Sequence, residues 1–166
     1  MKITKRKLRQ IIKESVEDEY KERLKEMFLG GEKEQALELA KSVGMEDFLV
    51  GSDLSTIKLE GMNLSGINLS DTRLYNGNLM GVNLSNAILE RADLSSVYLY
   101  DADLANANLS GANLSGANLL NVNLTGADLR GARLYGTNLK GAKLEDADLR
   151  DIVYNKYTEW PEGYKP

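Results

Sequence analysis

The sequence predicts a mainly β protein, a stack of square coils lined with leucine and preceded by two helices. Three regularities carry that prediction. Every fifth residue from Leu54 to Leu149 is leucine, twenty in succession. Two residues before each leucine the side chain is usually small, alanine in ten units, as at Ala107, Ala112 and Ala117. Two residues after it stands glycine in nine units, and asparagine or aspartate in eight of the others.

A period of five fits neither standard element. A helix turns about 100° per residue and would wind these leucines around every side, whereas an extended strand would send consecutive leucines to opposite faces. All twenty share one interior only if the chain bends after each unit. The Gly, Asn and Asp positions supply residues that tolerate positive φ or bond their own backbone in tight turns. Five residues then form one side, and four sides close a coil. Leucine and the small residue point inward, and the neighbours on either side of leucine point outward. Residues 52 to 151 make about five coils, a rod about 24 Å long at about 4.8 Å between stacked strands. Each buried leucine contributes about 1.5–3 kcal/mol, and nearest-neighbour contacts assemble the core.

Before the coils comes "MKITKRKLRQIIK", with six basic residues ahead of the first acid, Glu14. Lys2, Lys5, Arg6, Lys7, Arg9 and Lys13 form a candidate docking segment for nucleic acid, an anionic membrane or an acidic partner, with a solvated helix end as the alternative. Thr4 can cap a helix running toward Phe28. Its apolar residues Leu8, Ile12, Val16, Tyr20 and Leu24 recur every four, a drift of about 40° per step, so the two ends of this stripe face different ways. Gly30 and Gly31 break the helix, "EKEQALELAKSV" makes a second, and Gly44 stops it. Met45, Phe48 and Leu49 lead into the coils, so residues 1–50 read as a basic start and helical cap.

The repeat occupies residues 51–152. Its first coil is atypical, with Ser52, Ile57, Met62 and Ile67 at inward corners where later coils mostly carry Ala or Val. Larger corners suit a coil shaped to meet the helices. At the other end Tyr154 takes the next leucine position and is followed by Trp160 and Pro161. Residues 153–166 thus read as an aromatic cap and tail. Such ends are needed because an uncapped solenoid exposes strand edges and its apolar interior.

Composition narrows function mainly by what is missing. The 166-residue chain is 42% hydrophobic and 28% charged, a soluble globular balance, and contains neither His nor Cys. The usual general base, the thiol nucleophile and zinc sites built on those ligands are therefore excluded, and no metal or cofactor is expected. Asp residues recur by the rule of the repeat, which explains them structurally before any carboxylate chemistry does. No apolar run approaches the roughly 18 residues of a membrane span, and no cationic start leads into an apolar block of the secretory kind. The expected location is the cytoplasm.

The phrase "ANLSGANLSGANLL" resembles the pentapeptide-repeat family, whose units read Ala, then Asp or Asn, then Leu, then two variable residues. The resemblance covers about 100 of the 166 residues. It implies a right-handed quadrilateral β-helix and brings no catalytic residues with it. One branch of the family, the quinolone-resistance type, protects DNA gyrase by resembling duplex DNA. The ending "TEWPEGYKP" is similar to endings common in the family. The basic opening is also similar to a short start found on proteins of marine tailed phages.

Numbering by twenties sorts the outward residues onto four sides. On the side centred at Leu59, Leu79, Leu99, Leu119 and Leu139, the residues after leucine run Glu60, Met80, Tyr100, Leu120, Lys140. With Tyr98 beside Tyr100, the four residues Met80, Tyr98, Tyr100 and Leu120 make a candidate protein interface ending in charges, unless they are tolerated drift at solvent positions. On the side of Leu54 the preceding residues run Asp53, Arg73, Asp93, Asn113, Arg133, so no anionic stripe survives there. Residues 52–151 carry 12 acids and 8 bases over several sides, whereas a phosphate-like field needs clustered charge. The reading is a non-enzymatic solenoid that binds a protein partner, scaffolds or dimerises through an exposed face. The alternative is a DNA mimic acting on gyrase or topoisomerase, and direct nucleic-acid binding is not expected.

Overall fold

The computed structural model describes residues 5–45, 47–164 and 166, with side chains described from Glu17 onward. The chain divides into two compact units, one ending at Leu49 and the other spanning Val50–Pro166.

The first unit contains helices α1, Lys5–Leu29, and α2, Lys33–Val43. Leu24 and Phe28, four residues apart on α1, are fully buried, as are Ala36 and Ala40 on α2, while Leu37 is nearly so. The Phe28 ring meets Phe48 edge-on with centroids 5.9 Å apart. Tyr20, four residues before Leu24, is already 51% exposed, which is the rotation a four-residue spacing imposes on a helix. Both helices end on glycine with positive φ, Gly31 at 105° and Gly44 at 69°. After Gly44 the Met45 amide reaches back to the Ala40 carbonyl at 2.9 Å, which satisfies an acceptor the helix leaves open. The proposed Thr4 cap and the six basic side chains lie outside the described residues.

The second unit is built from parallel bridges between residues twenty apart. The residue before each leucine pairs with its counterpart one coil on, as in Asp53 with Arg73, Lys58 with Asn78, Asn63 with Asn83 and Asn68 with Ile88, which define four columns. Each side contributes one bridging residue, so pairing runs along the stack and no extended strand forms. Typical bonds are Leu84 N–H to the Asp103 carbonyl at 2.7 Å and Asp103 N–H to the Val82 carbonyl at 2.9 Å. The leucines from Leu54 to Leu139 are at most 2% exposed, whereas Leu144 and Leu149 at the far end are half-buried.

The corners explain the turn residues. Each leucine carbonyl from Leu54 to Leu144 accepts from the amide three residues on, as Leu84 does from Ala87 at 3.0 Å. The third residue of that turn has positive φ at every corner from Thr56 to Asp151, whether it is glycine, Asn or Asp, or, more unusually, Thr56, Arg91 or Ser96. A type II turn demands this conformation at that position. Corners also stack. An added Cβ on Gly141 would lie 2.3 Å from Asn121 Oδ1, and one on Gly126 would lie 2.4 Å from Asn106 Oδ1. Glycine at these two positions therefore serves space as well as conformation.

The ends of the stack are irregular. Ile57 and Met62 are half-buried, and the buried Ser52 hydroxyl has no hydrogen-bond partner among the described residues. At the other end Arg133 pairs with Val153, twenty on, but Asn138 pairs with Glu159, twenty-one on, so one residue is inserted between them. The hydroxyls of Thr137 and Thr158 close this region by donating to the carbonyls of Leu114 and Leu134 at 2.7 and 2.6 Å. Tyr154, in the leucine register, is 45% exposed. It meets Trp160 edge-on at 5.4 Å, and Trp160 stacks on Tyr164 at 5.3 Å.

Candidate functional site

The outward surface is governed by the residue before each leucine. When that residue is Asn or Asp, its Oδ1 accepts the amide two residues on, as Asn83 does from Ser85 at 3.0 Å and Asp103 from Ala105 at 3.1 Å. Such a side chain is occupied with its own backbone. Some join coils as well, as where Asn123 Nδ2 donates to Asp103 Oδ1 at 2.9 Å. The repeating Asn and Asp are thus turn-bonding and stacking devices.

Tyr98 breaks this rule at the middle of one side. Its column runs Lys58, Asn78, Tyr98, Asn118, Asn138 and Glu159, brought into line by successive bridges. Asn78 and Asn118 hold the amides of Met80 and Leu120 at 3.3 and 3.2 Å. The Tyr98 phenol has no such bond to offer and projects outward, 52% exposed. Beside it runs the column Glu60, Met80, Tyr100, Leu120, Lys140, where Leu120 is 36% exposed and Met80 and Tyr100 are half-buried. The structure therefore brings Met80, Tyr98, Tyr100 and Leu120 together on one side, in front of the buried Leu79, Leu99 and Leu119. The patch is fringed by Lys58 and Glu60 at one end and by the Lys140–Glu159 ion pair, at 2.9 Å, at the other.

Several charges elsewhere on the solenoid are paired, either between coils or within one unit. Arg91 holds Asp71 with two bonds of 2.8 Å and also contacts Glu90, which lowers the Asp71 pKa and raises that of Arg91. On the Leu69 side Arg130 grips Asp128 at 2.6 Å and leans toward Asp148 at 3.7 Å, while Arg150 grips Asp148 at 2.5 Å. The Arg150 hydrogen bonds hold the Asp148 carboxyl at about 2. Asp53, by contrast, is lowered first by bonds from the amide and hydroxyl of Ser55.

Three exposed tyrosines were not singled out by the sequence reading. Tyr75 and Tyr135 follow leucines on the Leu54 side, and Tyr157 is 66% exposed with Lys156 Nζ 5.0 Å from its ring centre. Serines separate the first two in their column, which hid them as a pattern. Tyr157 escaped because the inserted residue breaks the count by twenties. Among the described residues no cluster of three or more acidic side chains is placed to hold a metal ion. No described helix is long and apolar enough to cross a membrane.

Four columns of single-residue bridges, leucine inside and a left-handed residue at each corner define a quadrilateral β-solenoid of five-residue units. The pentapeptide-repeat family profile matches residues 49–86, 78–116 and 112–151, and the chain belongs to that family, whose fold is the right-handed quadrilateral β-helix. It is similar to a pentapeptide repeat protein of the Arabidopsis thaliana thylakoid lumen, with 34% identity over 64% of this chain and 74% of that one and a TM-score of 0.61. A pentapeptide repeat protein from the cyanobacterium Cyanothece 51142 shows 36% identity over 67% and 89%, with a TM-score of 0.47. HetL of Nostoc sp. strain PCC 7120, involved in heterocyst differentiation regulation, shows 33% identity over 63% and 56%, with a TM-score of 0.49. No curated protein sequence matches the chain.

Proposed function

We propose that the chain is a non-enzymatic solenoid that presents a protein-binding face, used to scaffold a partner or to pair with itself. The observation carrying this reading is the patch of Met80, Tyr98, Tyr100 and Leu120, apolar side chains held outward on a side whose other positions are polar. None of the four can serve the interior, because leucine already fills it, and aromatic residues with Met are the side chains protein interfaces favour. In this reading five coils form the rod, residues 1–50 cap its start, the aromatic cluster of residues 153–166 closes its end, and the protein works in a bacterial or phage-infected cytoplasm.

The test is charge insertion. Leu120→Glu or Tyr100→Glu is expected to abolish association or partner retention through the cost of burying a charge, while thermal stability stays within about 0.5 kcal/mol, as for other surface substitutions. Unchanged association in both variants sinks the proposal. DNA mimicry ranks behind it, because Asp–Arg pairs along the stack weaken the clustered field that a phosphate-like surface needs. Inhibition of gyrase supercoiling by stoichiometric protein would reverse that order.

A further inference from the structure

The ends of the apolar column are charged in a pattern that says what covers it. At one end Lys58 precedes Leu59 and Glu60 follows it, both exposed. At the other end the signs are exchanged between columns, since Lys140 lies in line with Glu60, and Glu159, one coil beyond Asn138, lies in line with Lys58. Glu60 bonds Asn78 Nδ2 at 3.2 Å, and Lys140 and Glu159 pair with each other. Between the ends the apolar column is balanced about its middle, with Met80 and Leu120 equally spaced on either side of Tyr100.

We infer that the partner of this face is a second copy of the chain, laid antiparallel across it about a two-fold axis at the level of Tyr98 and Tyr100. This inference rests on the protein-binding reading of the face and names its occupant. A two-fold interface is isologous, so each contact occurs twice and a self-complementary patch is required. An axis running across the stack keeps each column opposite its own copy and reverses its direction. Tyr100 then meets Tyr100 and Tyr98 meets Tyr98, while Met80 meets Leu120. Glu60 faces the second copy's Lys140, and Lys58 faces the second copy's Asn138, one coil short of its Glu159. Every apolar side chain finds an apolar one, Glu60 and Lys140 find opposite charges, and no like charges face each other.

The parallel alternative, with the axis along the stack, exchanges the two columns. It sets Lys58 against Glu60 but Lys140 against Asn138, and it sets Met80 against Asn78 and Leu120 against Asn118, so the apolar match selects the antiparallel pairing. One side of so short a rod is smaller than the roughly 800 Å² per partner of a standard interface, so the dimer is of the weak, concentration-dependent kind.

The absence of cysteine from the chain makes single-cysteine probes unambiguous. With a short thiol-reactive bifunctional reagent, Tyr100→Cys is expected to cross-link to itself, and Met80→Cys to cross-link when mixed with Leu120→Cys but far less alone. Tyr75→Cys, on another side, serves as the collision control. The mixed pair leaves both tyrosines in place, so the test survives a loss of affinity in Tyr100→Cys. Cross-linking between Tyr98→Cys and Tyr100→Cys without self-linking of Tyr100→Cys overturns the antiparallel arrangement. Cross-linking of Tyr75→Cys as strong as that of Tyr100→Cys overturns the choice of face. A native chain that stays monomeric in sedimentation at millimolar concentration, while Tyr100→Glu still weakens retention of a host protein, overturns self-pairing and leaves the protein-binding reading standing. If Tyr100→Glu changes neither, both fail.

Discussion

The two units use the same backbone conformation for opposite purposes. In the helical unit a left-handed residue appears at Gly31 and Gly44, each time ending a helix. In the solenoid it appears at every corner, and the fold continues through it. The difference lies in where the next hydrogen bond goes. After Gly44 the backbone bonds back to its own helix, whereas the amide of a corner residue such as Asn106 bonds forward to Thr125 on the next coil at 2.9 Å. Helical order is therefore local and needs a stop, while solenoid order lies between coils and needs a regular bend. A bend supported from the next coil also tolerates Arg91 and Ser96, residues that avoid positive φ elsewhere.

This contrast is tested first in the interior. Leu109→Ala, at a fully buried position in mid-stack, is expected to cost about 2–5 kcal/mol. Leu149→Ala, half-buried at the end, should cost distinctly less. Equal losses in urea denaturation would show that the last coil is as tightly held as the middle. The next largest effect separates conformation from space. Gly44→Ala and Gly131→Ala place a Cβ in open surroundings at φ of 69° and 67°, one at a helix end and one at a corner. Each should cost about 1–2 kcal/mol from the left-handed conformation alone. Gly141→Ala has nearly the same φ, 68°, but must displace Asn121, whose amide bonds Asp101 Oδ1 at 3.1 Å. It should lose about 1 kcal/mol more, the worth of that hydrogen bond. If Gly141→Ala and Gly131→Ala melt together, the corner column has slack.

The smallest effect concerns acid. Asp148 is held at about 2, below its usual 3.8, by the hydrogen bonds of Arg150. A carboxylate with a lowered folded-state pKa contributes stability that is fully present above the usual value and is lost as pH falls through the folded one. Stability should therefore decline modestly between pH 3.8 and about 2, and Asp148→Asn should flatten that part of the curve. The effect is small because the pair is exposed and screened. An unchanged acid limb in Asp148→Asn would show that the Arg150 grip adds nothing to folding.

Much of the candidate face was legible because the fold turns sequence spacing into spatial order. Counting by twenties placed Met80, Tyr100 and Leu120 in one column, and the bridges between Asn78, Tyr98 and Asn118 run through that same neighbourhood. The count failed where the chain stops repeating. Tyr157 lies beside the corner of Gly136, 3.9 Å from a Cβ built there, only because the segment between the bridging residues Val153 and Glu159 carries one extra residue. The trace of that insertion in the amino-acid pattern is Trp160, standing one place beyond the leucine register at Glu159.

The sequence by itself determined the repeat unit, the inward leucines, the positions that bend and the side each outward residue occupies. The physical reason is that these follow from the stereochemistry of five residues copied twenty times. Only the tertiary structure decided which outward groups are free. It occupied Asn83 and Asp103 with their own backbone, paired Asp71 with Arg91 one coil away, and left Tyr98 projecting. It also decided that Gly126 and Gly141 sit under asparagine side chains while Gly131 faces open space. Those outcomes depend on distances of a few ångströms between residues twenty apart, where the identity of one neighbour, rather than the period, sets the energy.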